Sequence, residues 1–283
     1  MELLRGKAVS DSIKAGITEI INSGQCPVPR LVIVRVGENP GDMSYERSAS
    51  KKLSGMGIEV VSCAMPADVA PEEFKAAFSK VNGDPEVDGI LVMRPLPKHL
   101  REAEQWLTVN IDPDKDVDCI GPVNLAGIMR GDPESFAPCT ARSVIEILKG
   151  YGEDISGKNV TIVGRSMVVG KPLAMLLLKE NATVTVCHTK TRDLQGMCRA
   201  ADIIVAAAGH AKLLDSSCVR DGQVLVDVGT NVDEEGNLVG DIDLSEIEAA
   251  GISVRATPVP GGVGVVTTAV LADHVCRARM KKS

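Results

Sequence analysis

The sequence predicts an α/β protein of two domains, each built on a parallel β-sheet covered by helices. The chain has 283 residues, which exceeds the roughly 150 residues typical of one domain. In both halves, apolar runs of strand length alternate with segments of helical periodicity. This alternation predicts parallel strands joined by right-handed crossovers. Apolar residues make up 44% of the chain, which is sufficient for two buried cores.

The first half begins with a helix and continues in the order β-α-β-α-β. Apolar residues recur at helical spacing over residues 8–23, and Gly24 marks the end of that helix. The first strand stops at Gly37, and the third stops at the proline-rich turn 94–97. The predicted strands cover residues 31–36, 58–63 and 89–93, and the predicted helices cover residues 43–55 and 71–81.

The second half repeats the alternation after residues 109–139, which are predicted to be rich in loops. Thr140 suits the N-cap of a helix that ends at Gly150. A strand at residues 160–163 then leads through a glycine turn into a helix that starts near residues 170–172. The remaining predicted elements are strands at 182–187, 202–208 and 223–228, a hairpin turn at 233–237 and a last helix at 267–281.

Composition argues against several classes of partner. The net charge is −7, and the chain holds only three Phe, two Tyr and one Trp, so neither a basic patch nor an aromatic platform for nucleic acid is expected. No apolar run reaches the roughly 18 residues of a membrane span, and the N-terminus has no apolar signal region. The eight cysteines form no CxxC pair. We therefore expect a cytoplasmic protein with reduced, mostly buried cysteines.

No metal site is expected. Asp112, Asp114, Asp116 and Asp118 alternate, but the glycine-centred spacing of an EF-hand is absent. Cysteine and histidine residues also lack the spacing of zinc ligands. Other polar side chains are expected to be structural: His188 and Cys139 as packed residues, and His99, His210 and His274 on loops or helix surfaces.

A glycine turn provides the first functional signal. Residues 160–170 read VTIVGRSMVVG, so an apolar strand runs into Gly164 and a helix begins after Gly170. A strand–glycine–helix junction can bind a pyrophosphate, because the backbone approaches closely and the helix N-terminus attracts anions. The turn departs from the GxGxxG fingerprint, since Ser166 occupies the position of the second glycine. A tight strand-to-helix turn without a ligand therefore remains the alternative at this point.

The end of the following strand favours NADP over NAD. NAD enzymes usually place Asp or Glu there to accept hydrogen bonds from ribose hydroxyls. Residues 187–192 read CHTKTR and contain no carboxylate. Thr189, Lys190 and Arg192, together with Arg165 on the turn, suit a 2′-phosphate. For Lys190 and Arg192, each taken singly, a solvated loop charge explains the residue equally well. Two later turns, at residues 208–209 and 229–230, could flank the nicotinamide.

Four motifs occur together and in order: KDVD at 115–118, PCT at 138–140, GRSMVVGKP at 164–172 and PGGVG at 260–264. Over essentially its whole length the sequence resembles the methylenetetrahydrofolate dehydrogenase/cyclohydrolase (FolD) family. The resemblance implies a folate domain of residues 1–139 plus 266–283 and a Rossmann-like NADP domain of residues 140–265, with a cleft between them. It also implies a homodimer.

The resemblance further implies two reactions and a set of site residues. Methylenetetrahydrofolate is oxidised to methenyltetrahydrofolate by hydride transfer to NADP, and the methenyl compound is then hydrolysed to formyltetrahydrofolate. The family's catalytic tyrosine and pterin-binding aspartate correspond to Tyr45 and Asp118. The other matched positions are Gly164, Arg165, Ser166, Thr189 and Thr230 for the cofactor, and Arg94, Pro260, Gly261 and Gly262 beside the folate.

Two catalytic positions depart from the family pattern. The family's lysine, four residues after the tyrosine, is Ala49 here, and its glutamine is Met93. Hydride transfer can rely on positioning against the cofactor. Hydration of the methenyl cation instead needs proton transfer, which alanine and methionine cannot perform. We therefore expect a dehydrogenase with weak or absent cyclohydrolase activity, and a separate cyclohydrolase to complete the pathway.

Three alternatives stay open. Lys52 follows Tyr45 by seven residues on nearly the same helical face and could replace the missing lysine, which would preserve both activities. An exposed helix lysine is its simpler interpretation. A non-catalytic dinucleotide-binding protein is disfavoured by the presence of Tyr45 and Asp118. A shikimate-type dehydrogenase is disfavoured by the PGGVG and KDVD motifs.

Overall fold

The computed structural model describes residues 1–282. Over these residues, strands and helices alternate as expected for an α/β protein. The strands are β1 (Glu2–Leu3), β2 (Arg30–Val36), β3 (Glu59–Met65), β4 (Gly89–Val92), β5 (Asn159–Val163), β6 (Thr183–Cys187), β7 (Ile203–Ala206), β8 (Val224–Asp227), β9 (Asn231–Val232), β10 (Leu238–Val239) and β11 (Arg255–Ala256). The helices are α1 (Gly6–Asn22), α2 (Pro40–Ser54), α3 (Pro71–Gly83), α4 (Arg101–Asn110), α5 (Pro122–Arg130), α6 (Cys139–Gly150), α7 (Gly170–Lys179), α8 (Leu194–Ala200), α9 (Leu244–Ala249) and α10 (Val263–Met280).

The chain divides into two compact units. One comprises residues 12–139 and 268–283, and we call it the N-terminal unit; the other comprises residues 1–11 and 140–267, and we call it the C-terminal unit. This division differs from the expected one in residues 1–11 and 266–267. β1 pairs in parallel with β11, and the Tyr151 hydroxyl donates to the carbonyl of Arg5 at 2.9 Å. These long-range bonds attach the start of the chain to the second sheet.

The N-terminal unit is built on a three-stranded parallel sheet in the order β3-β2-β4. β2 is central and almost entirely buried, as its run of Val, Ile and Leu predicts. One core cluster joins Val32 and Val34 to Phe74 and Phe78 of α3 and to Leu107 of α4. The expected β-α-β-α-β order and parallel sheet are confirmed.

The C-terminal unit is built on a six-stranded sheet in the order β1-β11-β8-β7-β5-β6, and all of its strands are parallel. The chain runs from β5 outward to β6, and then crosses back to β7 and β8 on the other side of β5. This reversal is a topological switch point, where ligands of open α/β sheets bind at the carboxyl ends of the strands. The predicted hairpin is the separate two-stranded β9–β10 ribbon.

Several elements differ from the sequence prediction. The stretch 109–139 contains the helix α5, which starts with Pro122 and ends at Gly131 in the left-handed conformation. The helix α4 was not predicted. It has ten residues, and its buried face is limited to Ala103, Leu107 and the half-buried Trp106. Its Trp106 packs edge-on against Phe78, with 6.1 Å between ring centroids. The two-residue strands β1 and β11 are too short to leave a periodic signal.

Within residues 1–282, no helix has the length and apolar character needed to cross a membrane. The cysteines of the described chain form no disulfide, and all except Cys63 are buried. Burial raises the pKa of several of these thiols, for example to about 12 at Cys198, where the Cys218 thiol adds to the effect. These cysteines are therefore protonated packing residues.

Candidate functional site

The glycine turn lies at the carboxyl end of β5 in the C-terminal unit. Gly164 has φ of +138°, and a Cβ there would overlap the carbonyl oxygen of Ala207. A Cβ on Gly170 would overlap the carbonyl oxygen of Gly164. Both positions therefore require glycine, because the turn folds back on itself and on the loop after β7. This tight turn delivers the N-terminus of α7 to the edge of the sheet.

Ser166 has a local role in shaping this turn. Its hydroxyl accepts a hydrogen bond from the backbone N–H of Val169 at 3.1 Å, and its carbonyl accepts from Lys171 N–H at 3.1 Å. Ser166 and Arg165 are both exposed at the turn. The N-terminus of α7 carries the positive end of the helix dipole. The turn therefore combines a positive helix end with an exposed guanidinium, which suits a phosphate group.

The loop after β6 is ordered by its own side chains and presents cations to solvent. The Thr191 hydroxyl accepts from His188 N–H at 2.9 Å, and the His188 ring accepts from Lys190 N–H at 3.1 Å. His188 thus organises the loop. Thr189, Lys190 and Arg192 are exposed. This strand end has donors and positive charge but no carboxylate, which fits a phosphorylated ribose better than a free ribose.

The turns after β7 and β8 lie at the same edge of the sheet, on the other side of β5. Ala208, Gly209 and His210 are exposed after β7, and Thr230 is exposed after the buried Gly229 at the end of β8. The backbone N–H groups of residues 208–210 all donate to the carboxylate of Asp241. This region was predicted only as two turns, and the anchoring role of Asp241 was missed.

The glycine loop at residues 260–264 belongs to the C-terminal unit. Its Val259–Pro260 peptide bond is cis, and Gly261 has φ of +108°. The N–H of Gly6 donates to the carbonyl of Gly261 at 2.9 Å. A Cβ on Gly262 would lie 2.6 Å from the carbonyl oxygen of Pro258. The loop is therefore tightly folded and bound to the start of the chain, and Pro260 itself remains exposed.

In the N-terminal unit, Tyr45 projects from α2 with 39% of its surface exposed. Its hydroxyl shares a hydrogen bond with Thr268 of α10. Burial of the hydroxyl raises the pKa of Tyr45, and the neighbouring Cys139 and Asp118 raise it further. The phenol therefore stays protonated at neutral pH and can donate a hydrogen bond.

Asp118 lies beside Tyr45 and is held by the start of α6. Its carboxylate accepts from the backbone N–H of Cys139 at 3.0 Å and also from the Cys139 thiol. Burial raises the pKa of the Asp118 carboxyl, whereas the Cys139 hydrogen bonds and the charge of Arg94 act in the opposite direction. The structure thus brings Tyr45, Asp118 and Arg94 together.

His274 corrects one expectation, since it is buried rather than on a helix surface, with 2% of its area exposed. Its Nδ1 lies 2.8 Å from the carbonyl oxygen of Val117, and its ring packs against Phe136 at 5.3 Å. The Cys139 thiol lies 3.9 Å from the same Nδ1. These contacts fix the carbonyl of Val117, which directly precedes Asp118, and the thiol of Cys139, which hydrogen-bonds to Asp118. The PCT motif was the only sequence signal for this support.

Ala49 and Met93, the two positions where the resemblance implies a lysine and a glutamine, are close in sequence to Tyr45 and Arg94. Ala49 is buried, with 1% of its area exposed, and Met93 is half-buried at the end of β4. Lys52 is exposed to solvent on α2. Glu46, the nearest carboxylate along the helix after Tyr45, forms a 2.6 Å ion pair with Arg35 and is also bonded to Ser62. The position four residues after Tyr45 therefore carries a buried methyl group rather than an amine.

Among residues 1–282, no group of three or more His, Cys, Asp or Glu side chains is arranged to hold a metal ion. The alternating aspartates instead have separate roles. Asp116 accepts from the N–H groups of Ile120 and Gly121, at 2.8 and 2.9 Å, and shapes the turn after the KDVD segment.

Comparison with known proteins matches both parts of the chain to one protein family. Residues 4–118 match the family model "Tetrahydrofolate dehydrogenase/cyclohydrolase, catalytic domain", and residues 138–283 match its "NAD(P)-binding domain". The chain is 48% identical over 282 residues to the bifunctional protein FolD of Clostridioides difficile, covering 98% of this chain and 96% of that protein.

Solved structures agree with this match. The bifunctional FolD enzyme of Campylobacter jejuni, a methylenetetrahydrofolate dehydrogenase/cyclohydrolase, superposes with a TM-score of 0.91 at 37% identity, covering 100% of both chains. The Trypanosoma brucei methylenetetrahydrofolate dehydrogenase-cyclohydrolase, solved with NADP and an inhibitor, superposes with a TM-score of 0.89 at 32% identity, covering 99% of this chain and 97% of that one.

Proposed function

The chain belongs to the tetrahydrofolate dehydrogenase/cyclohydrolase family, and we propose that it oxidises 5,10-methylenetetrahydrofolate to 5,10-methenyltetrahydrofolate with NADP as the hydride acceptor. The observation that carries this proposal is the carboxyl edge of the six-stranded sheet. There, the glycine turn and the N-terminus of α7 follow β5. The neighbouring strand β6 ends in residues 188–192, which carry cations and no carboxylate. This arrangement suits a pyrophosphate and a ribose 2′-phosphate.

Each cofactor residue has a distinct role in this proposal. The 164–170 turn receives the pyrophosphate, because Gly164 and Gly170 allow the backbone to fold tightly at the start of α7. Arg165, Thr189 and Lys190 contact the 2′-phosphate. Thr230 borders the nicotinamide end. NADP, when bound, supplies the nicotinamide carbon that accepts the hydride.

On the folate side, Asp118 binds the pterin and Tyr45 positions the one-carbon unit. A carboxylate suits the pterin because it accepts hydrogen bonds from the adjacent ring N–H and amino groups. The two hydrogen bonds from Cys139 hold the Asp118 carboxylate in one orientation. Arg94, Pro260, Gly261 and Gly262 complete the proposed substrate contacts. The methylene carbon becomes cationic as hydride leaves, and this step needs alignment more than proton transfer.

We further propose that the cyclohydrolase activity is weak or absent. Hydration of the methenyl cation requires a group that takes a proton from water, and such groups contribute about 10²- to 10⁴-fold. Ala49 and Met93 occupy the positions where the family pattern predicts lysine and glutamine. Lys52 is exposed, and Glu46 is engaged by Arg35 and Ser62. None of these residues offers an evident replacement base.

Full bifunctionality is the second candidate, and the names of the relatives favour it. The Clostridioides difficile protein, at 48% identity, and the Campylobacter jejuni enzyme, at 37% identity, are both described as bifunctional. In this candidate, Lys52 would turn inward to act as the base. A homodimer, a cytoplasmic location and a separate cyclohydrolase in the pathway stay predictions.

Two parallel assays test these proposals. Reduction of NADP by methylenetetrahydrofolate measures the dehydrogenase, and loss of the methenyl absorbance against an enzyme-free blank measures the cyclohydrolase. We expect turnover in the first assay and a rate near the blank in the second. The matched variants are Lys52→Ala and Lys51→Ala, since both lysines are exposed on α2. Hydrolysis well above the blank that is lost only in Lys52→Ala would establish the second candidate. NADP binding without turnover would instead favour the non-catalytic alternative.

A further inference from the structure

Two buried carboxylates lie under the loops at the carboxyl edge of the six-stranded sheet. Asp227 ends β8 and is 2% exposed, and Asp241 follows β10 and is 0% exposed. Both belong to the C-terminal unit. Burying a carboxylate is costly unless hydrogen bonds replace its water. The partners of these two groups therefore indicate what they hold in place.

Asp241 binds four groups from two different loops. Its Oδ2 accepts from Ala208 N–H at 2.6 Å and from Gly209 N–H at 2.9 Å. Its Oδ1 accepts from His210 N–H at 2.9 Å and from the side-chain amide of Asn231 at 2.9 Å. Three successive backbone N–H groups thus close around one carboxylate. This one side chain therefore holds residues 208–210 of the loop after β7 in place.

Asp227 holds Asp241 and the turn after β8 together. Its Oδ1 accepts from Gly229 N–H at 2.8 Å and from the backbone N–H of Asp241 at 3.0 Å. Its Oδ2 accepts from Ile242 N–H at 2.8 Å. The two carboxylates therefore form one connected anchor, which we call the Asp227–Asp241 anchor. It ties three segments together: the loop after β7, the turn after β8 and the chain leaving the hairpin.

Two glycines make this anchor possible. A Cβ on Gly229 would overlap Oδ1 of Asp241, and a Cβ on Gly240 would overlap Oδ2 of Asp227. Gly229 has no positive φ, so its requirement comes from the close approach of the carboxylate. Both backbone segments thus pack directly against the carboxylates.

The strand order indicates which half of a dinucleotide these loops face. The proposed pyrophosphate turn follows β5, and β6 lies on one side of it while β7 and β8 lie on the other. In such sheets the adenosine ribose sits beside the strand that follows the glycine turn, which is β6 here. The nicotinamide half therefore extends over β7 and β8, where the Asp227–Asp241 anchor holds both loops.

We propose that Asp241, held in place by Asp227, is a positioning residue for the nicotinamide half of the cofactor. This inference rests on the proposed function, because it presumes that a dinucleotide binds at this edge. Asp241 is buried beneath the loops and acts through their backbone. It fixes the places of Ala208, Gly209 and Thr230, against which the nicotinamide and its ribose would rest.

Asp241→Asn gives the most specific test. It keeps the shape of the side chain and removes one of its two hydrogen-bond-accepting oxygens. One oxygen becomes an NH₂ group that faces backbone N–H donors, so two of the four hydrogen bonds are lost. The adenosine side has separate anchors in Ser166, His188 and Thr191. The variant should therefore loosen one half of the site and leave the other half intact.

Titration calorimetry with two probes separates the halves. NADPH reports the whole site, and adenosine 2′,5′-bisphosphate reports only the adenosine side. For Asp241→Asn we expect NADPH affinity to fall by about 10- to 100-fold, which corresponds to losing hydrogen bonds to a charged group. We expect bisphosphate affinity to stay within about twofold of wild type. The fluorescence of bound NADPH, which reports the nicotinamide environment, should shift towards that of the free form.

Two further variants complete the design. Asp202→Asn is the matched control, since Asp202 accepts from Asn159 N–H at 2.9 Å at the opposite edge of the same sheet. It should leave the affinities for both probes unchanged. Asn231→Ala removes one hydrogen bond to Asp241 without touching a carboxylate. It should lower NADPH affinity by about 3- to 10-fold. This variant tests the proposal if Asp241→Asn does not fold.

The outcomes are distinct. An equal loss of affinity for both probes would show general loosening and overturn the inference. Unchanged NADPH affinity in Asn231→Ala and in folded Asp241→Asn would also overturn it. Failure of the wild-type protein to bind NADPH would instead overturn the proposed function, and the wild-type titration reports this before any variant is compared.

Discussion

The carboxyl edge of the six-stranded sheet, which we call the cofactor edge because we propose that NADP binds there, departs from the GxGxxG fingerprint. The region of the N-terminal unit around α2 and the end of β4, which we call the α2–β4 region, departs in a different way from the pattern that the resemblance implies. At the cofactor edge, Ser166 replaces a fingerprint glycine, but its hydroxyl caps the turn and the geometry is retained. In the α2–β4 region, Ala49 and Met93 stand where the resemblance implies a lysine and a glutamine, and Ala49 is buried. A local hydrogen bond can compensate for a lost glycine in a turn, whereas the shape of a pocket cannot perform the proton transfer of a missing side chain.

Restoring the missing groups should produce the largest effect. We expect Ala49→Lys combined with Met93→Gln to raise methenyltetrahydrofolate hydrolysis by about 10²-fold or more, the usual contribution of general acid–base catalysis. Residue 49 is buried, so desolvation would lower the pKa of the new lysine and favour its neutral, basic form. Stopped assays at neutral pH measure the rate. Ala49→Arg combined with Met93→Gln controls for added positive charge, because arginine stays protonated and cannot act as the base. An unchanged rate in the Ala49→Lys, Met93→Gln variant would contradict the comparison.

Gly164→Ala tests whether the cofactor edge depends on backbone geometry. The new Cβ would overlap the carbonyl of Ala207 at a φ of +138°, a conformation that L residues rarely adopt. We expect destabilisation by about 3 kcal/mol and a loss of NADPH affinity of similar size. Urea unfolding and titration calorimetry measure the two effects. Gly16→Ala, in open space on α1, should instead stabilise the protein by about 0.5–1 kcal/mol. Normal NADPH affinity in Gly164→Ala would show that the turn is not the binding element.

The two regions also show which parts of the structure could be predicted from the sequence and which could not. The glycine turn and the parallel strands were predicted because apolar runs and nearby glycines are local signals. The support around both sites depends on long-range hydrogen bonds. Asp241 binds residues 208–210, and His274 binds Val117, so no window of sequence could connect them. The helix α5 was missed because only nine residues form it, between segments rich in Asp, Pro and Gly. β1 exists only through its pairing with β11.

The anchor beneath the cofactor edge should make stability depend on pH. Burial raises the pKa of Asp227 to about 6, against an ordinary value of 3.8. The folded state therefore binds this proton more tightly, and the stability it contributes is present below pH 3.8 and lost as pH rises through 6. The difference corresponds to about 3 kcal/mol. The unfolding free energy of wild type minus that of Asp227→Asn should fall by about this amount between pH 4 and 7. A flat difference would show that its three backbone hydrogen bonds offset the burial.

The smallest expected effect concerns cofactor choice at the strand end after β6. Arg165 and Lys190 are exposed, and a 2′-phosphate is the only group that NADP has and NAD lacks. We expect Arg165→Ala or Lys190→Ala to lower the preference for NADP over NAD by about tenfold each, equivalent to about 1.4 kcal/mol. The loss should shrink at high salt, because the charges are solvent-exposed. The ratio of kcat/KM for the two cofactors measures this, with Lys179→Ala, another exposed lysine at the far end of α7, as the control. An equal loss of kcat/KM with both cofactors would mean that these cations contact the pyrophosphate, which NADP and NAD share. The specificity for NADP would then depend on Thr189 and on the backbone of the 188–191 loop.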